Sequence, residues 1–320
     1  MQMKRRDMLI KSSLVAFFLV VTRYVADFLG IRADWLFNLS EIKLDPAIAQ
    51  MPDPPGLRLR FAIIADTGWG DSAQYGVAQA MTRYYQQYPY PLVLLAGDNI
   101  YRNGEMWKIG PVFERPYRAL LNAKVSFRAC LGNHDIRTNN GDGQVNYPLF
   151  NMAGRYYTFH EKNVQFFMLD TNNNVDWQAQ LKWLEAELQQ SESPWKVVCG
   201  HYPVYSCGRY GNTPRLLKTL TPLLEKYGVQ LYVNGHEHNY QRSKVIRGVT
   251  YLVAGNGGAP LYPVQLQNWV AYTAARHGFT VVEVFDDRLQ IQAIGADGDV
   301  FDHTTLQLAE RRSPETSAAG

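Results

Sequence analysis

Seven residues of metal-ligand type fall in five short blocks, and each block directly follows an apolar run. The blocks are Ala65-Asp66-Thr67-Gly68, Gly97-Asp98-Asn99-Ile100-Tyr101, Gly132-Asn133-His134-Asp135, Gly200-His201-Tyr202-Pro203 and Gly235-His236-Glu237-His238. In four of them a glycine precedes the functional group, as a chain needs where it turns sharply to approach an ion. Singly, each block has a plainer reading: a lone Asp98 after a strand caps a helix or forms a turn, and a lone His201 is a satisfied packing residue. His236 and His238 say more, because alternate residues of an extended segment point the same way and two imidazoles can then serve one site or two adjacent ions. Together, Asp66, Asp98, Tyr101, Asn133, His201, His236 and His238 offer carboxylate, phenolate, amide and imidazole donors. That is too many for one tetrahedral zinc, and it suits two ions sharing a bridging ligand.

The apolar runs before the blocks have the length and the Val, Ile, Leu and Phe content of buried strands: Leu59 to Ala65, Pro91 to Ala96, Val125 to Leu131, Val164 to Leu169, Trp195 to Cys199 and Val229 to Val233. Between them, Asp71 to Gln87, Trp177 to Gln190 and Pro214 to Tyr227 repeat their apolar positions at helical spacing. The predicted pattern is α/β, with ligands on loops at the carboxyl ends of strands. From Arg242 to Leu306 the pattern changes to alternating segments such as Phe279 to Val284 and Leu289 to Ile294, predicting an antiparallel sheet that closes the core.

The composition, 46% hydrophobic and 19% charged, excludes a disordered chain. Of the net charge of +3, residues 1 to 49 hold seven Lys or Arg and five Asp or Glu, leaving 25 minus 24, or +1, on the rest. No basic footprint for a nucleic-acid partner remains. Cys130 and Cys199 close apolar runs and read as core residues, whereas Cys207, in a Ser-Cys-Gly stretch, reads as either free or paired.

Lys4-Arg5-Arg6-Asp7-Met8-Leu9 followed by the uncharged stretch Ser12 to Thr22 has the layout of an export signal and loosely resembles a twin-arginine leader. The run is short for a spanning helix. Residues 1–49 are expected to be an export signal, making the protein periplasmic or extracellular, or else a retained membrane anchor. Residues 50–56 read as a linker, 57–308 as one catalytic domain and 309–320 as a disordered tail.

From Leu59 to Leu306 the five blocks, in this order, resemble the calcineurin-like metallophosphoesterases. Phe167-Met168-Leu169-Asp170-Thr171 followed by Gln180-Leu181-Lys182-Trp183-Leu184-Glu185 belongs to the same likeness. Within that superfamily the chain is similar to the small, tartrate-resistant kind of purple acid phosphatase. Gly68 stands where most members have the His of Asp-x-His, and Tyr101 supplies the Gly-Asp-x-x-Tyr that replaces it. Asp66-Thr67-Gly68-Trp69-Gly70 departs from the Asp-Trp-Gly of the smaller members, which leaves the adjacent rim open.

The resemblance implies a four-layer α/β/β/α sandwich of two mixed sheets, of metallophosphoesterase type. It implies that one ion takes Asp66, Tyr101, His238 and the bridging Asp98, and that the other takes Asp98, Asn133, His201 and His236. His134 would be the acid that meets the phosphate or leaving group, with Asp135 fixing its tautomer. A phenolate beside two carboxylates is a hard anionic set suited to Fe(III), so the expected cofactor is Fe(III) plus a divalent Fe, Zn or Mn. The implied reaction is hydrolysis of phosphate monoesters by a metal-bound hydroxide, with activity surviving at mildly acidic pH. Two other readings stay open: a phosphodiesterase of the same superfamily with two divalent ions, and an inactive, metal-stabilised phosphoryl-binding protein. Expected partners are phosphate esters and, transiently, export machinery; membrane contact follows only if the N-terminus is retained, and a monomer is expected. Glu237 is given no role, Tyr202 and Tyr205 read as half-buried packing, and His160, His277 and His303 read as structural.

Overall fold

The structure, a computed structural model, describes residues 42–308. The leader or anchor expected over residues 1–49 lies outside the described residues as far as residue 41, as does the tail 309–320. Among the described residues, no helix is long and apolar enough to cross a membrane. The stretch read as a linker carries neither helix nor strand, yet it is fastened down. Met51 donates its N–H to the Gln87 carbonyl at 2.8 Å, and Asp53 pairs with the buried Arg60 at 2.8 Å.

In chain order the elements are β1 (Leu59–Ile64), α1 (Ser72–Gln87), β2 (Leu92–Leu95), α2 (Arg118–Asn122), β3 (Ser126–Ala129), α3 (Asp142–Val145), β4 (Tyr157–Glu161), β5 (Val164–Met168), α4 (Trp177–Gln190) and β6 (Trp195–Cys199). There follow α5 (Pro214–Thr219), α6 (Thr221–Lys226), β7 (Leu231–Asn234), β8 (Tyr240–Ser243), β9 (Thr250–Ala254), β10 (Val270–Ala274), β11 (Gly278–Val284), β12 (Arg288–Gly295) and β13 (Val300–Gln307). One sheet runs β13-β12-β11-β1-β2-β3 and the other β10-β8-β9-β7-β6-β5-β4. Both are mixed. β1, β2 and β3 are mutually parallel, as are β5, β6, β7 and β9, while the flanking strands pair antiparallel.

Strand periodicity explains the layers, because successive side chains face opposite ways. In β1, Leu59, Phe61 and Ile63 join Phe166, Trp195, Val197 and Leu252 of the other sheet in the central core. Phe61 meets Phe166 edge to face across that gap, with ring centroids 5.2 Å apart. Ala62 and Ile64 face outward instead, under Val77, Ala78 and Met81 of α1. On the opposite outer face, Phe167, Val198 and Tyr232 pack beneath Leu184, Leu188, Leu216 and Leu224 of α4, α5 and α6. The result is the helix, sheet, sheet, helix order that the family resemblance implies.

Three details differ from the sequence reading. The helix expected over Pro214 to Tyr227 is two short helices meeting at Leu220, because Pro222 has no N–H to continue the ladder and restricts the residue before it. The C-terminal third does not form one antiparallel sheet: β8, β9 and β10 enter the second sheet, with β9 parallel to β7, and only β11, β12 and β13 extend the first. β4 was not anticipated, since as an edge strand paired only with β5 it is half exposed and has little apolar alternation.

Candidate metal centre

Asp66 follows β1, Asp98 and Tyr101 follow β2, Asn133 follows β3, His201 follows β6, and His236 and His238 follow β7. These are carboxyl ends of parallel strands, β1, β2 and the edge strand β3 in one sheet and β6 and β7 in the interior of the other, so the sandwich brings their loops to one edge. Three of these residues take left-handed backbone that non-glycine residues seldom adopt: Asp66 (φ 55°), Asp98 (φ 54°) and His236 (φ 71°). Each such residue costs about 1–3 kcal/mol and persists only because its surroundings enforce it, and such strain concentrates at functional sites. Two glycines make the close approach feasible. A Cβ on Gly132 would collide with Oδ1 of Asp98, and one on Gly235 with Oδ2 of Asp66.

The donors gather into two groups. In the first, the Tyr101 hydroxyl donates to Oδ1 of Asp66 at 3.0 Å and lies 3.0 Å from Nε2 of His238, which is 3.5 Å from Asp66. In the second, Oδ1 of Asn133 lies 2.9 Å from Nδ1 of His236 and 3.2 Å from Nε2 of His201. Asp98 stands between them: its Oδ2 is 3.5 Å from Nε2 of His201, and its negative charge also acts on the Tyr101 phenol. Asp66, Asp98 and His201 by themselves offer atoms within 4.8 Å of one another, close enough to share an ion.

Backbone carbonyls orient two of the imidazoles. Nδ1 of His201 donates to the Ala96 carbonyl at 2.9 Å and Nδ1 of His238 to that of Pro260 at 2.8 Å, which turns Nε2 of each toward the other donors. The His201 and Tyr202 N–H groups donate to Oγ1 of Thr171, and Gln180 caps the backbone of Asp170. This gives the Phe167 to Glu185 block a physical role: it seats the His201 loop.

The electrostatics fit a missing positive charge. Burial, then the neighbouring Asp98, push Asp66 well above the usual carboxylate range. Burial and the facing Asp66 and Asp98 push the Tyr101 phenol up. Burial opposes a charge on His201 too, but Asp98 and Asp66 outweigh it and push the imidazole up to about 10. Asp98 in turn falls below the usual range, because His201 and His134 outweigh its burial. His236 and His238 drop to about 3 and about 4, chiefly through burial. A proton on Nε2 of His201 therefore stands where a cation would. The hard, anionic donor set fits a pair of metal ions that would replace that proton. Titrating Zn²⁺ into metal-free protein at neutral pH should release protons from the donors the metal takes, His201 and the Tyr101 phenol among them, and affinity should rise as pH rises because protons compete with the metal. Calorimetry in buffers of different ionisation enthalpy reads this directly; a heat independent of buffer would contradict it.

His134 and Asp135 do not pair as the resemblance implies. Asp135 is fully buried and accepts from the N–H groups of Asn99, Ile100 and Gly132 and from the side-chain amides of Asn99 and Gln144. It ties the loop after β2 to the loop after β3. Burial and Asp98 push its carboxyl up to about 6. Nδ1 of His134 lies instead 2.6 Å from the Arg102 carbonyl, and that contact fixes its tautomer. Its Nε2 lies 3.9 Å from Asp98 and 3.4 Å from the Arg137 guanidinium. Burial lowers its pKa against the pull of Asp98.

Sequence reasoning gave no role to Asn99 and Thr171, which lie inside the quoted blocks, and did not single out Gln144, whose partner Asp135 is reached only in the folded chain. Tyr202, read as packing, has its ring 4.3 Å from that of His236, whereas Tyr205 does pack on Tyr251 and Trp269. All three cysteines are buried free thiols, and Cys207 donates its thiol to Gln241.

Human tartrate-resistant acid phosphatase type 5 is 30% identical over 313 residues, spanning 83% of this chain and 95% of that protein. Two solved structures share the fold. GAP50, titled the anchor in the inner membrane complex of Plasmodium, superposes with a TM-score of 0.70 at 20% identity, covering 79% of this chain and 89% of its own. The purple acid phosphatase PPD1 of yellow lupin superposes at 0.68 and 18% identity, covering 78% of this chain and 53% of its own. Residues 59–240 match the calcineurin-like phosphoesterase family. That match starts at β1 and runs past the last of the five ligand loops, so the chain belongs to the calcineurin-like phosphoesterase family.

Proposed function

We propose that the protein is a binuclear metal-dependent acid phosphatase that hydrolyses phosphate monoesters. The observation that carries this reading is the convergence of seven donors from five loops into two groups with Asp98 between them. Its relationship to human tartrate-resistant acid phosphatase type 5 over nearly that protein's whole length supports the same reading. In the proposed assignment Asp66, Tyr101 and His238 hold one ion, Asn133, His201 and His236 hold the other, and Asp98 is shared. The ions, when bound, supply Lewis acidity toward the phosphoryl oxygens and a nucleophile that persists at mildly acidic pH.

The remaining work falls to the chain. Buried Asp66 and Asp98 would offset part of the charge of the ions, and the positive charge left over would favour a phosphate dianion. His134, anchored on the Arg102 carbonyl, holds a proton at Nε2 for the departing alkoxide. The charge of the bound ester favours that proton, offsetting the burial and the Arg137 neighbour that disfavour it.

The hardness of the Tyr101, Asp66 and Asp98 set supports Fe(III) with a divalent ion. A visible spectrum and metal analysis of one sample test this. The expected result is a broad charge-transfer band, about two metals per chain including iron, and loss of the band in Tyr101→Phe. A colourless wild-type protein holding two divalent ions would overturn the iron assignment and favour the phosphodiesterase reading.

A further inference from the structure

Glu237 lies between two candidate ligands in the loop that joins β7 to β8, where the left-handed backbone of His236 (φ 71°) replaces strand alternation. It is fully buried. A buried carboxylate needs dedicated donors, and those of Glu237 come from one turn nearly thirty residues earlier in the chain. Its Oε1 accepts from the Ser206 hydroxyl at 3.0 Å, the Tyr210 N–H at 2.6 Å and the Gly211 N–H at 3.2 Å, and its Oε2 accepts from the Arg209 N–H at 2.8 Å. Three successive backbone N–H groups closing on one carboxylate make an anion nest that fixes the turn.

With its backbone pinned inward, the turn presents Arg209 and Tyr210 outward. The Tyr210 ring lies 4.7 Å from the His236 ring while 52% of the residue remains exposed. Tyr262 continues the same side: its ring stacks on His238 at 4.1 Å, and its N–H donates to the His238 carbonyl. The Arg209 guanidinium sits 5.0 Å from the Tyr262 ring and 5.5 Å from that of Tyr210. Tyr210, Tyr262 and Arg209 therefore form a wall beside the two imidazoles, open to solvent on its outer face.

We propose that Glu237 is a positioning residue for this wall and that Tyr210 is a specificity-determining residue, its ring packing on the organic part of the ester. The proposal rests on the phosphatase reading. An aromatic leaving group gains a ring contact from Tyr210, whereas a small polyol does not.

The test compares kcat/KM for 4-nitrophenyl phosphate and glycerol 2-phosphate in the metal-loaded protein. In Tyr210→Ala the ratio of the two should fall by about tenfold, with metal content as in wild type. Glu237→Ala should lower the ratio similarly, Glu237→Gln should restore most of it because an amide oxygen can keep the Oε1 contacts, and Glu237→Ala with Tyr210→Ala should be no worse than either alone. An unchanged ratio in Tyr210→Ala, additive losses in the double variant, or metal loss in Glu237→Ala that accounts for its whole defect would each overturn the proposal. If metal-loaded wild type hydrolysed neither ester, the phosphatase reading would fall. The wall would then be judged by calorimetric binding of phenylphosphonate against methylphosphonate, with the same ratio change expected in Tyr210→Ala and its absence fatal.

Discussion

Replacing Asp98 with Asn is expected to lower kcat/KM for a phosphate monoester on the order of 10³-fold or more and to reduce metal content from about two ions per chain to one or fewer. Asn matches the shape of Asp and keeps an oxygen for the His134 N–H, which donates to Oδ1 at 2.9 Å. The loop can therefore stay in place. What disappears is the negative charge 3.5 Å from His201 and the second anionic oxygen between the two donor groups. Breaking a buried ion pair commonly costs about 3–5 kcal/mol, but His201 can shed its proton and avoid leaving a bare cation, so the fold should survive. Activity, metal content and far-ultraviolet circular dichroism on the same preparation check the claim. A folded Asp98→Asn protein with two metals and half the wild-type rate would remove Asp98 from the centre.

Much of this site was legible because the chemistry is encoded locally. A strand end, a glycine and a ligand fall within four residues at Gly97-Asp98 or Gly132-Asn133, so a short window contains both the turn and the donor. The layering was legible for a similar reason, since alternation within β1 alone separates Phe61 from Ala62. Contacts between segments were not legible. Asp135 stands next to His134 in sequence, and adjacency suggested a partnership; only the folded chain shows that it faces Asn99, Ile100 and Gln144 instead. Glu237 looked idle because its donors belong to residues 206–211, and nothing in a His-Glu-His triplet announces a turn so far away.

The left-handed backbone at Asp66, Asp98 and His236 belongs to the same hidden class. Aspartate and histidine tolerate that region better than most residues, yet nothing in the neighbouring sequence requires them to adopt it. The His236 N–H donates to Oδ2 of Asp66 at 2.9 Å, and the Asp66 N–H donates to the Gly97 carbonyl at 3.0 Å. With the His134 N–H donating to Oδ1 of Asp98, each of the three strained ligands is held by a bond to a neighbouring loop. The preorganisation is collective: it comes from bringing five loops to one edge, which no single loop can specify.

Substituting His134 with Ala is expected to lower kcat on the order of 10²–10⁴-fold for alkyl phosphates, while metal content and any visible absorption stay as in wild type. The side chain is one-fifth exposed and makes its ring contacts at the opening of the site, so its removal leaves no large cavity. If the ring delivers a proton to the leaving oxygen, the deficit must depend on how much that oxygen needs it. Esters of acidic phenols, whose anions leave unaided, should lose far less than esters of simple alcohols. Wild type should lose kcat as pH rises and His134 deprotonates, because the donating form is the protonated one; that limb should be missing from the His134→Ala profile. Its group is neutral above its pKa, which burial sets below the ordinary imidazole value in the absence of substrate. A plot of log kcat against leaving-group pKa separates the roles, since loss of a proton donor steepens the line and loss of a mere phosphate contact shifts it in parallel. A parallel shift would assign His134 to binding alone and leave the leaving group to be protonated by solvent.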